Sequence, residues 1–171
     1  MASSRGNPDP GDIFRSIAVL GLIVLALYGI GRFFTSEPEQ VTASVDWKPA
    51  AESAQKAADY AVLAPDELPD GWHATSARYD PATGRWKLGI LDGDDKYLGI
   101  DQSTESAKTV LKRLADGSEP AGSAKVGDRV WSVNAGPGDR ITYVNDDDGV
   151  TSAVTGTVEQ AELESYIATL G

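Results

Sequence analysis

From Ser16 to Gly31 the chain carries no charge, in the order Ser-Ile-Ala-Val-Leu-Gly-Leu-Ile-Val-Leu-Ala-Leu-Tyr-Gly-Ile-Gly, and arginines close it at both ends. A helix rises about 1.5 Å per residue and a bilayer core is about 30 Å thick. Ile13, Phe14, Phe33 and Phe34 lengthen the run to a span. Arg15 and Arg32 can snorkel to the two interfaces, and Tyr28, Phe33 and Phe34 lie where aromatic rings favour the interface. The pattern predicts a single transmembrane helix over residues 13–34. Before it, residues 1–12 are polar and rich in Gly, Pro and Ser, which suits a disordered cytoplasmic tail. Arg5 and Arg15 precede the span, so the positive-inside rule favours a cytoplasmic N-terminus. The alternative is a signal peptide cleaved near Val41-Thr-Ala43. An uncleaved anchor is preferred, because the apolar run exceeds a usual signal core and Arg32 makes a poor approach to a cleavage site. Both readings put the residues after about 40 outside the cytoplasm, and the preferred anchor holds them at the cell membrane.

Residues 35–45 read as a stalk and 46–171 as one extracytoplasmic domain, long enough to bury a core. There is no cysteine, so that core must hold without disulfides, and thiol chemistry and Cys-ligated zinc are excluded. After residue 36 the chain has 12 basic and 24 acidic residues, a formal net charge near −12. Such a surface repels nucleic acid and anionic lipid and favours cationic partners or metal ions. Solubility alone also accounts for it.

Pro49 and Glu52 suit the start of a helix over about 49–59. Tyr60 to Ala64 is a short extended run, and Pro65, Pro69 and Gly71 punctuate the stretch between it and the first strand. Strands are expected at Trp72–Tyr79, Arg85–Leu91 and Tyr97–Asp101, with an Asp-Gly hairpin between the last two. Ala107, Val110, Leu111 and Leu114 mark an amphipathic helix over 104–115. A loop over 118–122 leads to strands at Ala124–Val133, Ile141–Val144 and Val150–Val154. Thr157-x-x-Gln160 matches a capping box for a last helix bearing Leu163, Tyr166, Ile167 and Leu170. The order predicts an α+β domain, an antiparallel sheet with helices packed on one face, built as two βββα units.

No sequence pattern points to a reaction. His73 is the only histidine, so neither a multi-histidine metal site nor a second-histidine triad exists. Asp92, Asp94 and Asp95, and Asp146 to Asp148, could attract calcium, but both clusters fail the EF-hand pattern and aspartate is the expected turn residue. Gly136-Pro-Gly138 lacks the rest of a dinucleotide motif, and no phosphate loop, G-x-S-x-G or H-E-x-x-H occurs. No catalytic, metal or cofactor site is therefore expected. Four tryptophans remain. Trp86 and Trp131 fall inside strands and read as core. Trp47 and Trp72 flank the first helix and the Pro-Gly segment, and with Pro69 and Gly71 they are the candidates for an interface or ligand groove. Core packing is the simpler account of both.

Leu68-Pro-Asp-Gly-Trp72, Trp86-x-Leu-Gly-x-Leu91 and Tyr97-x-Gly99-x-Asp-Gln102-Ser103 form a string, with Asp46-Trp47-x-Pro49 before it and Val154-x-Gly156 after it. Over residues 13–171 the chain resembles an actinobacterial family, domain of unknown function number forty-two forty-five. That resemblance implies a single-pass membrane protein with this outer domain and no assigned activity. A looser likeness links Leu68-Pro-Asp-Gly-Trp72 to envelope domains opening L-P-x-G-W or L-P-x-G-Y, and the α/β order to the Mog1/PsbP-like sandwich. The expected role is a non-enzymatic interaction module of the cell envelope, its partner an envelope protein or a cell-wall component. The alternatives are a binder or carrier of an apolar small molecule and, last, a carboxylate-dependent hydrolase.

Overall fold

Among the described residues from 44 onward there are seven strands and three helices, and all strand pairing is antiparallel. The computed structural model describes residues 19–21, 24 and 44–170. Helix α1 (Lys48–Ala57) precedes β1 (His73–Asp80), β2 (Arg85–Leu91) and β3 (Tyr97–Ser103); α2 (Ala107–Leu114) leads to β4 (Glu119–Val126), β5 (Arg129–Ala135), β6 (Ile141–Asp147) and β7 (Val150–Gly156); α3 (Gln160–Ile167) closes the fold. The sheet order is β1-β2-β3-β7-β6-β5-β4. The chain therefore crosses through α2 to the far edge, then returns strand by strand until β7 pairs with β3.

This departs from two βββα units, because the second half has four strands. The expected strand at Ala124–Val133 is a hairpin, β4 and β5, turning at Gly127 and Asp128, with Val126 opposite Arg129. Gly127 has φ +61, which the turn needs and a side chain resists. The segment expected as a loop over 118–122 belongs to β4. That strand is almost wholly exposed, carries Pro120 and is bulged between Pro120 and Gly122, all devices of an edge strand. Its low apolar content is why it resembles a loop.

The helices do not share one face. Trp86, Leu98, Tyr143 and Val154 pack with Leu163, Tyr166 and Ile167 of α3 and Ala54 of α1. A separate cluster joins Val110 of α2 to Val144 and Ala153, with Ala107, Leu111 and Leu114 against it. Successive strand residues point to opposite faces, so Tyr143 and Val144 serve different layers, as do Val154 and Ala153. β6 and β7 lie mid-sheet and are buried on both sides, which gives the α2 stripe an apolar landing.

Capping differs as well. Ser106 caps α2 by accepting from the Thr109 N–H. Glu159, not Thr157, precedes α3 and makes no side-chain cap. Thr157 instead prolongs the sheet: its N–H donates to the Tyr97 carbonyl (2.9 Å) and its Oγ1 accepts from the Tyr97 N–H (3.1 Å). Of the expected span over 13–34, Val19 to Gly21 and Val24 are helical, with Val19, Leu20 and Val24 exposed. The remainder of that span, the tail over 1–12 and most of the stalk over 35–45 lie outside the described residues. Among the described residues no helix is long and apolar enough to cross a membrane.

Candidate functional site

Between α1 and β1 the chain runs from Ala61 to Trp72 outside the sheet, bending at Asp66 and Glu67 and turning at Asp70 and Gly71, so its backbone must bond elsewhere. Side chains supply the partners. Gln102 of β3 accepts from the Leu63 N–H (2.8 Å) and donates to the Ala61 carbonyl (3.0 Å). Gln55 of α1 accepts from the Val62 N–H (2.9 Å), and the Trp86 indole donates to the Leu63 carbonyl (2.9 Å). Leu63 is thereby buried, and Val62 with it. Beyond the clamp, Pro65 and Pro69 stiffen the path. The Trp72 N–H returns to the Pro69 carbonyl (3.0 Å) around Gly71, whose φ of +82 is the left-handed value that the third residue of a type II turn requires.

The turn sets Trp72 against Tyr166 of α3, ring centroids 5.4 Å apart at 31°. Together with Leu68 and Pro69 on one side and Ser165 and Thr169 on the other, these rings line an open groove of about 430 Å³. Glu67 and Glu162 supply its charge. Tyr166 is buried, its hydroxyl has no hydrogen-bond partner, and burial pushes its ionisation far above the ordinary phenol value.

Trp47 lies elsewhere. It precedes α1, is 8 % exposed, belongs to the main core, and has the Lys48 ammonium 5.6 Å from its ring. Its exposed edge joins Ala51, Gln55, Val62 and Pro65 in a second groove of about 520 Å³. The four residues singled out from sequence thus part company. Pro69 and Trp72 share one groove, Trp47 lines another along the same segment, and Gly71 lines neither but makes the turn. Trp86 and Trp131 are core, at 0 % and 1 % exposure.

Two contributors were not singled out. Tyr166 reads from sequence only as part of a helical stripe. Gln102 carried a usable signal: Leu98, Ile100 and Gln102 alternate onto the core face, where a polar group must find partners. The acidic clusters act as turns, with Asp92 Oδ1 accepting from the Asp94 and Lys96 N–H groups at 2.8 Å each, and Asp148 and Gly149 both at positive φ. Among the described residues no three metal-ligating side chains converge. His73 is half-buried at the start of β1.

A family model described as "Protein of unknown function (DUF4245)" matches residues 5–170. No curated protein and no solved structure matches the chain.

Proposed function

The chain belongs to the protein family of unknown function DUF4245, and on that premise we propose that it is a single-pass membrane-anchored, extracytoplasmic docking module without catalytic activity. Its partner, in this reading, is another envelope protein, one of whose segments lays an apolar side chain into the Leu68–Pro69–Trp72–Tyr166 groove and a Lys or Arg against Glu67 and Glu162. The observation that carries the reading is this open aromatic groove beside two carboxylates, on a domain whose interior is filled by Trp86, Trp131, Tyr143 and Leu163. Aromatic anchors of this kind dominate protein interfaces. A filled interior leaves the apolar-carrier alternative with less to support it.

Support for the anchor comes from the uncharged run and from Val19, Leu20 and Val24, apolar side chains on helical residues that the protein leaves exposed. Hydrolysis finds little support among the carboxyls. Asp101 is held by two guanidinium groups. The Asp80 and Glu164 carboxyls sit below the usual range, chiefly through hydrogen bonds from Thr83 and Tyr143 respectively, the reverse of what a general acid needs.

The test is photo-crosslinking of the full chain in its own membrane, with the reactive residue at Ser165. The expected result is a discrete protein adduct whose crosslinked peptide pairs an apolar side chain with Lys or Arg. Leu68→Asp and Trp72→Ala should abolish it while circular dichroism stays unchanged. Two results would count against docking: the same adducts from a reporter at Ala121 on the edge strand, or adducts with lipid or small molecules only.

A further inference from the structure

On the sheet face that carries α2, the cationic side chains gather. Four of the twelve basic residues after position 36, namely Arg78, Arg85, Lys87 and Arg113, line one groove of about 260 Å³ with Asp80, Thr83 and Glu105. Elsewhere in this part of the chain acids outnumber bases by more than two to one, so the concentration is local and opposed to the net charge.

Strand register explains how it forms. Arg78 faces Lys87 across β1 and β2, and Lys87 faces Asp101 across β2 and β3. Like charges directly opposite each other destabilise a sheet. Asp101, Lys87's cross-strand neighbour, relieves the pair only in part, because its ion pairs are made with two other side chains. Buried at 3 % exposure, it receives Arg85 Nε at 2.9 and 3.1 Å and a second Arg85 nitrogen, while Arg113 reaches it from α2 at 3.1 Å. Glu105 pairs with Arg113. Asp80 lines the groove on the strand face of Arg78; hydrogen bonds from Thr83 and from the Ala82 N–H (3.0 Å) in the β1–β2 turn, and then the charge of Arg78, hold its carboxyl below the usual range. Every carboxylate of the groove is thus engaged, and Arg78 and Lys87 make no ion pair among the described residues.

We propose that this groove is an anion site that binds a phosphate group, with Lys87 and Arg78 as its open donors and Arg85 and Arg113 held in place by Asp101. The cations come from β1, β2 and α2, so they surround a volume instead of forming one flat fork. A tetrahedral dianion presents acceptors in all those directions, whereas a carboxylate presents a planar pair. The Lys87 ammonium is displaced below its usual range, first by burial and then by Arg85, with Arg113 and Arg78 adding to it against the opposing charge of Asp101; an anion between the cations would relieve the repulsion that remains. The volume suits the phosphate of a lipid headgroup or a free phosphate ester, and leaves the rest of the ligand outside. This site does not depend on the aromatic groove.

The experiment uses the full chain in phosphate-free detergent, with inorganic phosphate as the probe and thermal unfolding as the readout. Chloride and acetate at matched ionic strength are the controls. Phosphate should raise the midpoint saturably, as a ligand of the folded state does. Lys87→Gln and Arg78→Gln should weaken that response at least tenfold. Each variant removes one of two opposed cations, so without phosphate each should unfold no earlier than the parent, which separates binding from folding. In nanodiscs, a midpoint already raised by phosphatidylglycerol and indifferent to added phosphate identifies a lipid headgroup; continued response to free phosphate identifies a soluble ligand. Equal effects of acetate and phosphate, or an undiminished response in Lys87→Gln, would overturn the proposal.

Discussion

Replacing Gln102 by Leu tests whether one side chain holds the 61–72 segment, and with it both grooves, in place. Leu approximates the volume of Gln and removes both hydrogen bonds of the clamp. The Leu63 N–H is buried and loses its partner outright, whereas the Ala61 carbonyl belongs to an exposed residue and can recover water. An unsatisfied buried group costs about 1–3 kcal/mol. The buried N–H dominates, and the rehydrated carbonyl adds only a fraction, so the expected loss is about 2–3 kcal/mol. For a domain of this size, with a urea dependence of about 1–3 kcal/mol per molar, that is a midpoint shift of about 1 M. Tryptophan fluorescence of the full chain in mild detergent reads the shift. Hydrogen exchange measured by mass spectrometry reads its location. Peptides over 60–66 should lose protection by more than the global change, because the Trp86 bond to the Leu63 carbonyl remains while the amide opens. Peptides of β5 and β6 should track the global change only. A variant with the parent's midpoint and unchanged exchange at Leu63 would refute the clamp, and leave Trp86 and packing as the anchors of the segment.

The Glu164 carboxylate accepts from the Tyr143 hydroxyl at 2.5 Å and from the Gln160 amide at 3.0 Å, which holds it below its ordinary range. Burial and that carboxylate push Tyr143 up to about 12. A depressed carboxyl stabilises the fold above its unfolded-state value and loses that contribution as the pH falls through the folded one. Tyr143→Phe should therefore return Glu164 towards its usual titration in carbon-detected NMR and flatten the acid limb of stability; an unmoved Glu164 would contradict the assignment. At Gly156, an added Cβ would stand 3.2 Å from the Tyr97 carbonyl and 3.4 Å from Leu163 and Val158, all in the packed interior. Overpacking of that kind costs about 1–3 kcal/mol. At Gly99 the three atoms nearest the added one all belong to the end of the Tyr97 side chain, which is 41 % exposed and has room to swing outward. Gly156→Ala should thus lower the urea midpoint clearly more than Gly99→Ala, and the reverse order would show that the Tyr97 ring is fixed.

Much of the fold was legible where one periodicity acted alone. β2 appears at its expected limits, since Trp86, Leu88 and Ile90 alternate without interruption. α2 shows its stripe at helical spacing. Errors arose where local signals competed. Val126 and Val130 read as one apolar run because the Gly127-Asp128 turn between them is only two residues long. Thr157 and Gln160 have capping-box spacing, yet Thr157 bonds across to Tyr97, a partner sixty residues away in sequence. Of the candidate site, Trp72, Pro69 and the turn at Gly71 were visible in Leu68-Pro-Asp-Gly-Trp72. Tyr166 was not, because nothing in a helical stripe tells which of its members meets a distant loop.

By itself, the sequence determined what local chemistry determines: an uncharged run of near-spanning length, a domain that must fold without disulfides, the identity of most strands and helices, and the break in regular structure at Pro65, Pro69 and Gly71. Those depend on residues within a few positions of one another. Tertiary structure decided which sheet face each helix covers, which side chains hold the 61–72 segment, and that Arg78, Arg85, Lys87 and Arg113 share one groove. The physical reason is register. Arg78 and Lys87 become neighbours only because β1 and β2 pair at one offset, and a slip of a single residue would send the two to opposite faces of the sheet.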